Sequence, residues 1–125
     1  MIFEKEPRQF VAKLLMHVRR SVLHNFPIGN SSIAFDMALV LFANSARGRE
    51  PMNIKSLFGN LPYSDMGMRY HLNALIRDGW VVIDKSVKDS RSRLVRPTEK
   101  LLDRFDSVVH EVRQLLGNES LKPLI

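Results

Sequence analysis

One segment near the middle of the sequence constrains the fold most strongly. The run IAFDMALVLFA, from Ile33 to Ala43, is apolar on nearly every side of a helix. A helix with this character is buried on most sides. Ser31 or Ser32 can cap its start, and Arg47-Gly48 can end it. We therefore predict a helix from about Ile33 to Ser45 at the centre of the domain.

Amphipathic helices are predicted on either side of this central segment. Residues 8–25 carry one apolar stripe and end before Pro27 and Gly29, which stop helices. Thr98 can cap a last helix over 98–117, which Gly117 ends, and residues 118–125 form a tail. The apolar residues of this last helix recur at i, i+3, i+4 and i+7, and they are Leu101, Leu102, Phe105, Val108, Val109, Val112, Leu115 and Leu116.

Two closely spaced helices follow the central one. A short helix begins after Asn53 and ends at Gly59, and the tight connection Asn60-Leu61-Pro62 leads to Ser64, a good N-cap for a helix over 65–78. Gly79 is placed to adopt the left-handed conformation that often ends a helix. A short helix and a tight turn feeding a second helix form a helix-turn-helix.

A β-hairpin is predicted directly after this motif. Trp80 to Ile83 reads as a strand, Val87 to Ser92 is turn-like, and Arg93 to Arg96 reads as the returning strand. The predicted fold class is therefore mainly α with a small β-hairpin, a winged helix-turn-helix flanked by N- and C-terminal helices. We expect one domain over residues 1–117, made of the 8–25 helix, a 31–97 winged-helix core and the 98–117 helix.

Positive charge is concentrated in parts of the chain. The protein carries 19 Lys and Arg against 13 Asp and Glu, a net charge of +6. Residues 64–96 hold seven basic and four acidic residues, a balance of +3. Nucleic acid is the first candidate partner for such a surface, although a solvated hairpin is the plainer alternative. Between 85 and 96 the basic residues are Lys85, Lys88, Arg91, Arg93 and Arg96, against Asp89 alone.

The 65–78 helix offers side chains suited to a major groove. With Leu72 at the centre of its buried face, Met68, Leu75 and Ile76 lie nearby, whereas Gly67, Tyr70, Ala74 and Arg77 lie opposite. Met66, His71 and Asn73 lie at the flanks, and Asn73 is, like the Tyr, His and Arg side chains, able to contact base edges or phosphates. We assign Met66, Gly67, Tyr70 and His71 to bases, with Gly67 letting the backbone approach DNA, and Ser64, Arg69 and Arg77 to phosphates. The alternative is that Tyr70 and His71 pack under the hairpin or against a partner subunit.

The hairpin carries a family resemblance. The stretch Asp89-Ser-Arg91-Ser-Arg-Leu-Val95-Arg-Pro-Thr98 resembles the wing of the MarR-type (multiple antibiotic resistance) regulators, and His71-Leu72-x-x-Leu75-x-x-x-Gly79-Trp80-Val81 resembles the segment before it. The resemblance implies that Arg91 enters the minor groove and that Asp89 orients it by a charge-assisted hydrogen bond. Independently of the resemblance, Arg93 lies two residues beyond Arg91 and so points to the same face of an extended strand, where it can add a phosphate contact. Lys88 is a further candidate for DNA contact. Pro97 and Leu101 depart from the family pattern, which bears on its small-molecule pocket and dimerisation region.

Several classes of chemistry have no support in the sequence. The chain has no Cys, which excludes disulfides, thiolate catalysis and Cys-ligated metals. His17 and His24 have no acidic neighbour at metal-ligand spacing, and no catalytic motif or acid–base pair is present. We therefore predict no enzyme activity, no metal site and no cofactor. The sequence lacks a membrane-length apolar run and a secretory leader, so we expect a cytoplasmic protein.

A homodimer is the expected functional form, because one winged helix reads only a half-site. The last helix has an apolar seam at 102, 105, 109, 112 and 116, and the 8–25 helix is also available, unless both simply cover the central helix. The predicted function is sequence-specific double-stranded DNA binding in transcription regulation, with 64–78 in the major groove and the wing, 84–96, at the minor groove. The alternative is a winged-helix module for protein interaction or a replication complex. Whether a small-molecule effector exists is left open.

Overall fold

The computed structural model describes residues 6–26, 31–44 and 50–117. These residues are mainly helical with one antiparallel β-hairpin, which confirms the predicted fold class. The stop signals at Pro27, Gly29 and Arg47-Gly48, and the tail 118–125, lie outside the described residues. The elements are α1 (Pro7–Asn25), α2 (Ser32–Ala43), α3 (Ile54–Gly59), α4 (Asp65–Arg77), β1 (Val81–Lys85), β2 (Arg93–Pro97) and α5 (Glu99–Gly117).

Two compact units make up the chain, one of residues 28–102 and the other of residues 1–27 with 103–125. The helix-turn-helix and the hairpin belong to the first unit, and α1 with most of α5 to the second. The expectation of a single domain over 1–117 stays a prediction. No helix within the described ranges combines the length and apolar character needed to cross a bilayer.

Helix α2 occupies the centre of the 28–102 unit, as its apolar sequence predicts. Ser31 caps it by accepting hydrogen bonds from the N–H groups of Ile33 and Ala34, at 3.2 and 3.5 Å. The helix packs against α3, α4 and β2, and its Met37 is fully buried. Removing such side chains from water is the main source of stability in a domain of this size. The most deeply buried side chains of this unit are Met37, Leu57, Val81, Val95 and Leu101.

Local capping fixes the ends of α3 and α4. Asn53 accepts a hydrogen bond from the N–H of Ser56 at 2.7 Å, and Ser64 accepts one from the N–H of Gly67 at 3.1 Å. Gly79 has a φ of 80°, the left-handed conformation predicted for the C-terminal end of α4. Lys100 donates to the carbonyl of Asp78 at 2.9 Å, so its positive charge interacts favourably with the negative end of the α4 helix dipole.

The turn of the helix-turn-helix is tied to the central helix by a polar contact. The hydroxyl of Tyr63 donates to the carboxylate of Asp36 on α2. Asp36 is the one charged residue in an otherwise apolar helix, and this bond gives its partly buried carboxylate a partner. The contact therefore helps set the position of α4 relative to α2.

The wing is a regular two-stranded hairpin. Its register pairs Val81 with Pro97 and Lys85 with Arg93. The N–H of Val95 also donates to the carbonyl of Met52 at 2.8 Å, and Asn53 forms an isolated antiparallel bridge with Leu94. The residues just before α3 are therefore hydrogen-bonded to β2, which attaches the hairpin to the helix-turn-helix.

A buried polar cluster joins the two helices of the other unit. The hydroxyl of Ser21 donates to the carboxylate of Glu111, and the amide of Asn25 donates to the same carboxylate at 3.1 Å. Ser21 and Asn25 are both buried, so these bonds satisfy polar groups that would otherwise be costly. Phe26 and Phe105 add an aromatic contact with ring centroids 6.1 Å apart.

This cluster predicts a pH dependence of stability. The Ser21 hydroxyl lowers the pKa of Glu111 below its ordinary value of 4.5, assisted by Asn25, His24 and His110 and opposed by partial burial. A carboxyl with a depressed folded-state pKa stabilises the fold above its unfolded pKa, and this contribution is lost as the pH falls through the folded value. Glu111→Gln should therefore reduce the dependence of the urea midpoint on pH below 4.5. An unchanged pH profile in the variant would contradict this assignment.

Candidate nucleic-acid interface

Helix α4 presents a well-defined exposed face. Met66 is 82% exposed and Tyr70 is 70% exposed, and Asn73 and Arg77 also face solvent. The buried face consists of Met68, Leu72 and Leu75, so its centre is rotated by roughly 30° from the Leu72-centred prediction. Ile76, predicted to be buried, is 36% exposed, and Gly67 and Ala74, predicted opposite, are half-buried. These placements correct the prediction of which side α4 offers.

Gly67 has a structural reason to lack a side chain. A Cβ atom added there would lie 3.0 Å from Oγ of Ser64 and 3.5 Å from Cδ1 of Ile33. The first contact is tighter than ordinary packing, and Ser64 Oγ already serves as the cap of α4. Gly67 therefore leaves room for the Ser64 cap, whereas a Cβ would make only an ordinary contact with Ile33 of α2. Its predicted role in letting the backbone approach DNA stays a prediction.

His71 is directed towards the start of α2. Its Nε2 lies 3.2 Å from Oγ of Ser31, the cap of that helix, and the side chain is half-buried. Tyr70 meets the His71 ring edge-on, with centroids 5.1 Å apart and an interplanar angle of 87°. His71 thus links α4 to α2, whereas Tyr70 keeps most of its surface in solvent.

The two arginines of α4 have intramolecular partners. Nε of Arg69 pairs with Asp65 at 2.8 Å, and its guanidinium lies 5.7 Å from the ring centroid of Phe58. Nε of Arg77 pairs with Asp78 at 3.2 Å. Both ion pairs are exposed, so they contribute little to stability. They direct Arg69 towards α3 and Arg77 towards the end of α4, positions that suit phosphate contacts at the groove edges.

The wing tip is organised by the Asp89 carboxylate. The Asp89 carboxylate accepts a hydrogen bond from the main-chain N–H of Arg91 at 3.0 Å. Among the described residues, no ion pair joins this carboxylate to the Arg91 guanidinium, so the hydrogen bond between Asp89 and Arg91 runs through the main chain. Asp89 therefore shapes the turn and leaves the charged end of Arg91 to solvent. The role of this pair at a minor groove stays a prediction.

The basic side chains of the wing differ in whether they have an acidic partner. Arg96 pairs with Asp84 across the hairpin at 2.8 Å, and Arg93 donates to the carbonyl of Ser90 at 2.9 Å. Within the described ranges, no ion pair to a carboxylate is found for the other wing cations or for Arg93. The wing therefore projects uncompensated positive charge. These cations are Lys85, Lys88, Arg91 and Arg93.

The base of the wing depends on a contact that the sequence did not indicate. The buried hydroxyl of Ser86 donates to Glu50 at 2.7 Å and accepts from the N–H groups of Lys88 and Asp89, each at 3.2 Å. Glu50 also accepts from the N–H of Val87 at 3.3 Å. These bonds hold the start of the wing loop to the segment preceding α3.

Ser86→Ala is expected to destabilise the protein by about 1 kcal/mol, because it removes the group through which these hydrogen bonds run. Urea unfolding measures the loss. Ser90→Ala is the matched control, since Ser90 is exposed and its only described contact uses the main-chain carbonyl. Equal stabilities for the two variants would show that Ser86 does not anchor the wing.

A basic groove lies between the wing and the helix-turn-helix. It has a volume of about 620 Å³ and brings Arg91 and Arg93 to the same surface as Arg69. Lys55 adds a cation from α3 that sequence reasoning missed, because a single Lys on a short helix carries no distinctive signal. The groove is also lined by Asn53, Ile54, Phe58, Asp65, Asp89 and Ser92. Within the described residues, no group of three or more His, Asp or Glu side chains is arranged to bind a metal.

These features define a winged helix-turn-helix protein with an exposed second helix and a basic wing. Comparison with solved structures agrees with this description. A transcriptional regulator from Thermotoga maritima, Tm0710, matches with a TM-score of 0.68 at 19% identity, over 98% of this chain and 85% of that one. A MarR-like transcription regulator from Bacillus cereus matches with a TM-score of 0.56 at 19% identity, over 91% and 76%.

A third similar structure contains nucleic acid. It is a variant of S. aureus MepR bound to an oligodeoxyribonucleotide, with a TM-score of 0.67 at 15% identity over 94% of this chain and 83% of that one. No protein-family model matches the sequence, and no curated protein matches it either. The likeness thus establishes the fold. The chain has the winged helix-turn-helix fold of the MarR-type regulators, as the resemblance in the wing predicts.

Proposed function

We propose that this protein is a sequence-specific double-stranded DNA-binding transcription regulator that acts as a cytoplasmic homodimer. In this proposal α4 enters the major groove and the wing reaches the adjacent minor groove. The observation that carries it is the combination of one exposed face on α4 with a wing whose cations lack carboxylate partners. Elements of this kind provide base contacts and phosphate contacts respectively.

The charges support a division of labour between the two elements. Arg69 lines the same groove as Arg91 and Arg93, and together with Lys55 these side chains suit the sugar-phosphate backbone. Arg91 extends from the wing tip without an ionic partner among the described residues, which suits insertion into a narrow, electronegative minor groove. The MepR variant of similar fold is bound to an oligodeoxyribonucleotide, which supports the same use of this fold.

A non-enzymatic role follows from the same proposal. The similar structures include transcription regulators, and the basic groove holds Asp65 and Asp89, whose carboxylates are engaged with Arg69 and the wing turn. The interface therefore offers contacts to an anionic polymer. No cofactor or metal is needed for such binding.

Binding to duplex DNA as a function of salt tests this function. The protein is mixed with a random-sequence duplex library, the retained duplexes are recovered, and one enriched duplex is titrated at several salt concentrations. We expect enrichment of a pseudo-palindromic sequence and an affinity that falls steeply with salt, because phosphate neutralisation releases counterions. Failure to enrich any sequence, with the folded protein present, would contradict the proposal and favour a protein-interaction module.

A further inference from the structure

Three exposed side chains form a single stripe along α4. Met66, Tyr70 and Asn73 stand at i, i+4 and i+7, so they share one face of the helix. Met66 lies in the first turn, where helices of this kind most often contact bases. None of the three makes a hydrogen bond to another described side chain, so all are available to a ligand.

The two arginines of α4 lie outside the Met66–Asn73 part of this stripe. Arg69 is roughly 60° away from Met66 around the helix, leans towards Phe58 and Asp65 and joins the basic groove. Arg77 continues the same face one turn beyond Asn73, at the last residue of α4, where it pairs with Asp78. Arginine is the side chain that most often recognises guanine. The N-terminal part of this face, from Met66 to Asn73, thus presents a thioether, a phenol and a carboxamide to the base edges.

The chemistry of these groups matches one kind of base pair. In the major groove, apolar side chains contact the C5-methyl group of thymine. A carboxamide can form two hydrogen bonds to adenine, accepting one from N6 and donating one to N7. Met66 and the ring of Tyr70 supply the apolar surface, and Asn73 supplies the amide. We propose that this stripe reads A·T base pairs, with Met66 and Tyr70 on thymine methyl groups and Asn73 on adenine.

The wing is consistent with the same target. A·T-rich DNA has a narrow minor groove with enhanced negative potential, which favours an inserted arginine. Arg91 has no carboxylate partner among the described ion pairs and lies beside the cations of the basic groove. The assignment deepens the proposed function and rests on it, since it specifies which bases the half-site contains.

Replacement of thymine by deoxyuridine tests this reading directly, because it removes the methyl group and keeps the base pair. The enriched duplex is remade with each half-site thymine changed singly to deoxyuridine. At a contacted position the wild-type affinity should fall about fourfold, the value for one buried methyl-sized group. The same substitution should reduce the affinity of the Met66→Ala or Tyr70→Ala variant only slightly, because the side chain that would contact the thymine methyl group is already absent. Ile76→Ala, on the same helix but off the stripe, should respond like wild type.

The adenine contact has its own probe. Replacing a half-site adenine by 7-deazaadenine removes N7, and the resulting loss of affinity should be absent in Asn73→Ala. If a specific duplex is enriched but every deoxyuridine substitution is harmless, or costs wild type and both variants equally, the stripe does not read thymine while the protein remains a DNA-binding regulator. If no duplex is enriched, the proposed function fails and this assignment fails with it.

Discussion

Arg91→Ala is expected to weaken binding to the enriched duplex by about 1–3 kcal/mol and to reduce the salt dependence by about one counterion. The reason is geometric as well as electrostatic. The Asp89 carboxylate fixes the main chain of Arg91, so the guanidinium projects from an ordered turn rather than a loose loop. A main chain that is already ordered loses less conformational entropy when its side chain binds. Adding Arg93→Ala should increase the loss, because Arg93 lines the same groove.

Arg96→Ala is the matched control for this experiment. It removes the same charge from the same hairpin, but Arg96 is paired with Asp84 at 2.8 Å and lies outside the basic groove. Its effect on affinity should therefore be much smaller than that of Arg91→Ala. If the double variant Arg91→Ala and Arg93→Ala binds the duplex as tightly as wild type, the wing does not contact DNA. If Arg96→Ala costs as much as Arg91→Ala, the effect is one of net charge alone.

The sequence specified the helix ends well because capping is a local interaction. Ser64 and Gly79 each act within a few residues of their own position, and each has the predicted role. Asn53, after which the sequence predicts the short helix, caps that helix in the same local way. For α2 the sequence left Ser31 and Ser32 as alternatives, and the hydrogen bonds assign the cap to Ser31. Residue type and spacing are sufficient for such features.

Contacts between distant residues had no equivalent signal. Ser86 binds Glu50 across 36 positions, and Tyr63 binds Asp36 across 27. Neither pair belongs to a periodic pattern, so composition and spacing give no reason to connect them. Asp36 illustrates the point, because in the sequence it is only an interruption of an apolar helix.

The exposed face of α4 was predicted imperfectly for a related reason. A helical wheel centred on Leu72 assumes that burial is symmetric about the largest apolar residue. In the fold, α2 packs close to the start of α4, so Gly67 turns inwards against Ile33, and Ile76 turns partly outwards. The position of a neighbouring helix decides this rotation. The roles of the predicted DNA-contacting residues stay predictions.

Leu15→Glu is expected to separate the proposed homodimer and to weaken operator binding by about 100- to 10,000-fold, because two linked half-site contacts become one. Leu15 is 61% exposed on α1, and three further large apolar side chains of this helix are exposed as well. Exposed apolar residues rimmed by charge mark a surface that another protein covers. The other three are Val11, Met16 and Leu23, and they are 43%, 52% and 54% exposed.

Gln9→Glu separates the loss of association from the added negative charge, since it introduces the same charge on an exposed polar position of α1. Sedimentation at micromolar concentration should give a dimer for wild type and Gln9→Glu, and a monomer for Leu15→Glu. The DNA affinities should follow the same order. Because Leu15 is largely solvent-exposed in the single chain, its replacement should leave the urea midpoint of the monomer nearly unchanged. A wild-type protein that sediments as a monomer with and without duplex would remove the two-fold operator from the proposed function, and each chain would then read one site alone.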